Sequence, residues 1–184
     1  MEGTVAGNPA NVKIWEDADV RILKPSDITA PDTFSSLIPA DIDAAFDDAW
    51  LLVGLLDGSD GFGESREWDE TEHTAWGYGL IKVSSRNFKM TRKFTALESN
   101  AITEYLYSPG DTATKVVVAK PAYVYIAFET TADDTSKERL ITTVPARVTA
   151  PESNRNEEDL ASKEFTANIF PNSAKELFHK LVSA

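Results

Sequence analysis

The chain has 184 residues, no cysteine and a formal net charge of −12. Its 42% hydrophobic and 26% charged residues are the balance of a folded chain with a sizeable core, long enough for one domain. The missing cysteines exclude disulfides, zinc–thiolate centres and thiol nucleophiles, and the overall acidity argues against gripping DNA by its phosphates.

The opening MEGTVAGNPAN has neither a basic region nor an apolar run, so no signal peptide is expected. Val12–Glu16 and Val20–Lys24 flank the polar Asp17-Ala18-Asp19 and predict a hairpin. A loop marked by Pro25, Pro31 and Pro39 follows, then a helical turn over Asp41–Ala49 with Ile42, Ala45, Phe46 and Ala49 on one face. Leu51–Leu56 is apolar on both faces, as a buried strand is, and the run Ala49–Leu56 is too short to cross a bilayer. Trp76–Ser84 and Arg86–Thr95 predict the next strand pair. In the second, Phe88, Met90 and Phe94 alternate with Lys89, Thr91, Lys93 and Thr95, which gives one core face and one wet face.

ALESNAITEYLY switches to a helical period, with Leu97, Ala101, Ile102, Tyr105 and Leu106 in a stripe that ends before Pro109-Gly110. Thr114–Ala119, Ala122–Thr130, Arg139–Thr149 and Ala161–Phe170 read as strands. Tyr123–Phe128 fills both faces and should be central, while Pro145 requires an edge or a bulge. Pro151–Asn154 reads as a polar loop. Ser173-Ala174-Lys175-Glu176 has the form of a capping box and predicts a C-terminal helix over residues 171–184, with Ala174, Leu177, Phe178, Leu181 and Val182 on one side. The expected architecture is a mainly β single domain of two packed antiparallel sheets, sandwich- or barrel-like, with one flanking helix and a short C-terminal one.

Charge is unevenly placed. Residues 1–70 carry sixteen acids and four bases, and the rest of the chain is balanced. The acids culminate in an extended arm or loop over residues 57–75, with Asp57, Asp60, Glu64, Glu67, Asp69, Glu70 and Glu72 around a single Arg66. A basic strand follows, with Lys82, Arg86, Lys89, Arg92 and Lys93 and no acid between Glu72 and Glu98. Two adjacent blocks of opposite sign suit surfaces that meet between copies of the chain.

Catalytic readings of the acidic stretch are poorly supported. Counted from Asp57, an EF-hand loop would need glycine where Phe62 stands and a bidentate glutamate where Trp68 stands. DGSDG is more simply a turn, although a looser calcium site at Asp57 and Asp60 stays open. A glycosidase-type carboxylate pair needs a cleft that no spacing here fixes. On an extended Glu64–His73, carboxylates point to both sides with same-face neighbours about 7 Å apart. Their repulsion in water is only about 0.6 kcal/mol per pair, which a hydrated arm tolerates and a dry core does not. His73 and His179 lack metal-ligand spacing, and no nucleophile elbow, phosphate loop or zinc-protease helix is present. No catalytic residue, metal or cofactor is expected.

The order NVKIWEDADVRILK, DDAWLLVGLLDGSDGF, GESREWDETEH, AWGYG, SRNFKMTRKFT and ALESNAITEYLY resembles the major tail proteins, or tail tube proteins, of long-tailed bacteriophages of the actinobacteriophage type. The resemblance covers residues 11–170. It implies hexameric rings that share a continuous inner β-barrel and stack into a hollow tube for DNA ejection. The implied partners are further copies, a tape-measure protein, and tail-terminator and tail-tip proteins. The implied location is the virion tail, and the host cytoplasm during assembly. DNA would pass without specific binding along a lumen partly lined by the acidic first seventy residues. The 57–72 arm would meet the 82–93 strand of a neighbouring subunit or ring. No added immunoglobulin-like domain is expected. Two alternatives remain, a β-sandwich binding or decoration module of a virion and a carboxylate-dependent hydrolase.

Overall fold

Nine strands and one α-helix form in the computed structural model, which describes residues 8, 12–154, 157 and 160–183. The leaderless reading of residues 1–11 falls, Asn8 aside, outside the described residues. The strands are β1 (Trp15–Leu23), β2 (Leu51–Leu52), β3 (Gly63–Ala75), β4 (Gly79–Ala96), β5 (Ala122–Ala132), β6 (Lys137–Thr142), β7 (Ala146–Asn154), β8 (Ser162–Ile169) and β9 (Phe178–Val182). The helix α1 spans Ala101–Tyr107. The mainly β expectation holds, but the two sheets are one continuous antiparallel sheet in the order β2-β1-β5-β7-β8-β4-β3.

The sheet closes on itself. At one end of the 51–57 segment, Leu51 and Leu52 pair with Ile22 and Arg21, and Val53 N–H donates to Val20 O. At the other, Asp57 N–H donates to Thr95 O and Leu97 N–H to Leu55 O. Through the 51–57 segment the ladder therefore runs from β1 through β5, β7, β8 and β4 back to β1 and closes barrel-like, with β6 and β9 branching from β5. β6 and β7 pair with successive parts of one edge of β5, and Thr143–Pro145 is the corner between them. That corner is where Pro145, lacking an N–H, had to fall.

Alternation fills the interior. Val20 and Ile22 of β1, Val124, Ile126 and Phe128 of β5, Phe94 of β4 and Phe165 of β8 are fully buried together with Leu106 of α1. Phe94 stacks on Phe165 at 5.2 Å and meets Phe128 edge-on at 6.1 Å. α1 is fixed by Asn100, whose side chain accepts from Ile102 and Thr103 N–H in a reciprocal capping box. A second cluster of Leu23, Leu37, Trp50, Ala127 and Ile141 lies under the proline-marked loop, where Trp50 Nε1 donates to Leu37 O at 2.8 Å.

Several expectations are corrected. Asp17-Ala18-Asp19 is not a turn: β1 runs straight through it with a bulge between Trp15 and Asp17, because all of it pairs with β5. Asp41–Ala49 forms no helix. Asp41 Oδ1 takes the Asp43 and Ala44 N–H groups, and Arg139 takes the Asp41 and Ala44 carbonyls that a helix would have used. Trp76–Ser84 and Arg86–Thr95 are not a pair but parts of a single region, with β4 running unbroken from Gly79 to Ala96. Thr114–Ala119 is exposed and unladdered, and Pro151–Asn154 belongs to β7.

The C-terminal helix is also overturned. Asn172 Oδ1 accepts from Ala174 and Glu176 N–H, and Lys175 turns at φ 65°, so the supposed capping box is a tight turn. Phe178–Val182 then pairs with β6. A helix of that length is marginal alone, whereas a strand satisfies the backbone of an otherwise open β6 edge.

A projecting arm as the candidate functional site

β3 and β4 form a hairpin that leaves the barrel. β4 is held by β8 only over Met90–Ala96, whereas β3 and β4 pair from Gly63↔Lys93 to Ala75↔Gly79. From Glu67 to Ala75 the two strands therefore continue alone for about 30 Å, at roughly 3.3 Å per residue. Every β3 residue is exposed except Ala75 at its end. The outer edge of β3 and the outer edge of β4 over residues 79–89 have no partner among the described strands.

Two bulges shape the arm. Between Glu67↔Lys89 and Asp69↔Arg86, Asn87 and Phe88 stand against Trp68 alone, with Asn87 at φ 53°. Trp68 tilts against Phe88 at 5.0 Å. A second shift lies between His73 and Thr74. Each bulge places an extra residue on β4, so the β4 side chains beyond it change faces, whereas β3 keeps the expected alternation, with Glu64 beside Arg66 on one face and Ser65 beside Glu67 on the other. The hairpin turns through Trp76-Gly77-Tyr78, where Tyr78 N–H donates to Ala75 O and Gly77 and Gly79 take φ of 80° and 75°. This turn presents Trp76 at 102% exposure and Tyr78 at 86%, beside exposed Leu80, Ile81 and Val83.

The acidic and basic segments thus meet within one chain, as the two strands of a ribbon. Lys89 Nζ lies 3.0 Å from Asp69 Oδ1, and Asn87 donates to Asp69 Oδ2 at 3.0 Å. These two hydrogen bonds, Asn87's first, hold the Asp69 carboxyl below its usual range. Arg86 stands opposite Asp69 and Lys82 opposite His73. Glu64 is taken by Arg66 at 2.7 Å, Glu67 accepts from Ser65, Glu70 faces Ser85, and Glu72 faces Val83. Lys93 lies outside the arm proper, on Glu164 at 2.7 Å, and that partner raises its pKa.

Three of the expected residues do other work. Asp57 Oδ1 accepts from the Ser59 side chain and N–H, which lowers its pKa, and Asp60 accepts from Thr95 Oγ1 at 2.9 Å. Both organise the turn at the root of the arm, and no metal-binding cluster occurs among the described residues. Arg92 points inward on the Met90–Phe94 face. Its guanidinium lies 4.7 Å from the Phe128 ring centroid and 5.4 Å from that of Phe62. Its Nε and Nη1 are sealed from solvent without a hydrogen-bond partner among the described residues, and burial lowers its pKa. The sequence reading missed this side chain's direction and also missed the aromatic tip, although the alternation and Gly77 with Gly79 carry both signals.

Chemically, the arm offers three things: an acidic free edge, a basic free edge and an apolar end. Compared with known proteins, the chain matches no family model, and no curated protein matches it significantly.

Proposed function

We propose that the protein is a structural subunit that assembles with further copies of itself through the β3–β4 arm, building hexameric rings that stack into the hollow tail tube of a bacteriophage. The arm carries this reading. A two-stranded ribbon has no core of its own and is marginal in water, so an arm of this length needs a partner to be useful. Its two free edges are strand-addition surfaces, and their opposite charge favours an acidic β3 edge beside the basic β4 edge of the next copy. Repeated head to tail, that heterologous contact generates a ring or filament and not a closed pair. Trp76 and Tyr78 are the residue types that anchor interfaces, here held out where only another molecule can cover them.

The segment order that resembles tail tube proteins supplies the rest: six copies per ring, DNA conducted without specific binding, and a tape-measure protein with tail-terminator and tail-tip proteins as partners. On this reading the protein is not an enzyme and uses no cofactor. Acids near the lumen repel phosphates and let DNA slide. The protein would work in the virion tail after assembly in the host cytoplasm.

The test is electron microscopy of the concentrated protein beside a Trp76→Ser/Tyr78→Ser variant. Hollow tubes with a regular ring repeat from the parent and none from the variant are expected. A second reading, a binding or decoration module, is favoured only by the exposed Trp76–Tyr78 pair. Glycan binding through that pair, with no tubes at any concentration, would establish it instead.

A further inference from the structure

Below the projecting part of the arm, at its root, an open cleft of about 470 Å³ lies between β1 and the 52–58 segment. Its mouth exposes Trp15 at 53%, Leu55 at 66% and Leu52 at 39%, and one wall carries Glu16, Asp17 and Asp19. None of these three carboxylates has an ion-pair partner among the described residues. The Asp19 carboxyl is pushed up by burial and by Asp17 and Glu129, against the pull of Arg21. Arg92 also lines the cleft, but its Nε and Nη1 are buried, and an apolar mouth beside three carboxylates without ion pairs calls for a cationic segment with small apolar side chains.

The chain has such a segment. Between α1 and β5 runs Lys115-Val116-Val117-Val118-Ala119-Lys120, outside every strand. Val117 N–H is tied to Asp111 Oδ1 at 2.8 Å and its side chain folds toward Gly110. That tether turns Val116 and Val118 outward, at 87% and 93% exposure, between two lysines. Two β-branched side chains at alternate positions, tethered through Val117 and presented to water, form a preorganised ligand.

We infer that Lys115–Lys120 of one copy docks in the Trp15–Leu55 cleft of the next, with Val116 and Val118 against Trp15 and Leu55 and the lysines facing Glu16, Asp17 and Asp19. The contact deepens the self-assembly reading by naming a second joint, on the body instead of the arm. Donor and acceptor surfaces differ, so it too propagates head to tail. Lysines set between the acids relieve the repulsion at Asp19, and the valines cover the exposed indole.

Because the chain lacks cysteine, single-cysteine variants make the test clean. Val118→Cys and Leu55→Cys are each treated with a short bismaleimide, alone and mixed, with Ser26→Cys as an off-site control. Cross-linked dimer should form in the Val118→Cys/Leu55→Cys mixture at least ~10-fold above either variant alone or any Ser26→Cys mixture. Lys115→Glu/Lys120→Glu should abolish that yield, and Glu16→Lys/Asp17→Lys on the other copy should restore it. A mixed yield no higher than the controls overturns the proposal. Microscopy of the same samples separates the two ideas. Tubes without the cross-link remove the cleft contact and leave the arm reading standing, whereas the cross-link without tubes does the reverse.

Discussion

Asp69 and Lys89 sit on opposite strands of the arm, 3.0 Å apart, at the one place where the ladder steps over Asn87. A carboxylate held by both an amide and an ammonium pins the bulge, and the bulge decides which side chains beyond it face which way. The acidic and basic blocks are therefore joined inside the chain, and their outer edges have no partner among the described strands.

The Asp69 clamp predicts a pH dependence. Its pKa is lowered, so its contribution to arm order is complete above the ordinary carboxylate value of 3.8 and disappears as pH falls through the lower folded value. In an acid titration followed by NMR, the Asn87 side-chain amide should move with a midpoint below 3.8. A midpoint at or above that value would mean that the clamp does not persist in solution.

Charge reversal on the basic edge should block assembly without unfolding the body. Lys82 and Arg86 make no ion pair among the described residues, so Lys82→Glu/Arg86→Glu should leave the circular dichroism unchanged. Tube mass measured by sedimentation should fall by about tenfold or more, since like charges across a strand pair are destabilising. Lys89 and Lys93 are poorer choices because both are engaged within the chain, with Asp69 and Glu164.

Arg92 predicts a gain in stability. Its Nε and Nη1 are buried without partners among the described residues, so Arg92→Met should raise the unfolding free energy by about 1 kcal/mol in urea titrations. A loss of similar size would show that its contact with the Phe62 and Phe128 faces outweighs its desolvation.

Removing residues 173–184 should be far worse than trimming a frayed helix. It uncovers the β6 edge and withdraws Leu177 and Phe178, which pack against the core. The unfolding free energy should drop by about 3 kcal/mol, with aggregation setting in at lower temperature by light scattering.

The elements that could be read in advance are those whose burial leaves a period. Phe88, Met90 and Phe94 in β4, the apolar Ala122–Phe128 run of β5, and the Asn100-capped stripe of α1 announce themselves. β3 leaves no period, because an arm wet on both sides has no apolar alternation to detect, and charge alone signals its extended form. Phe178–Val182 shows a helix-compatible stripe, and its pairing with a distant β6 edge is a tertiary choice that no local pattern encodes. Thr114–Ala119 fails in the other direction: its valines have the composition of a strand, yet no strand among the described residues pairs with them. The charged residues of the candidate site were visible by composition. Arg92's inward turn was written in its place between Met90 and Phe94 but hidden by its charge.

β4 is one unbroken strand whose first half is arm and whose second half is barrel wall. A pull on Trp76 along the arm is thus delivered lengthwise to the seven rungs from Met90↔Ile169 to Ala96↔Lys163, which must slide together rather than unzip one by one. Resistance to such a load is set by the rate of breaking that ladder and not by the equilibrium stability of the fold. An assembly joined through these arms would carry tension from body to body along continuous backbone, as a tie rod does between plates.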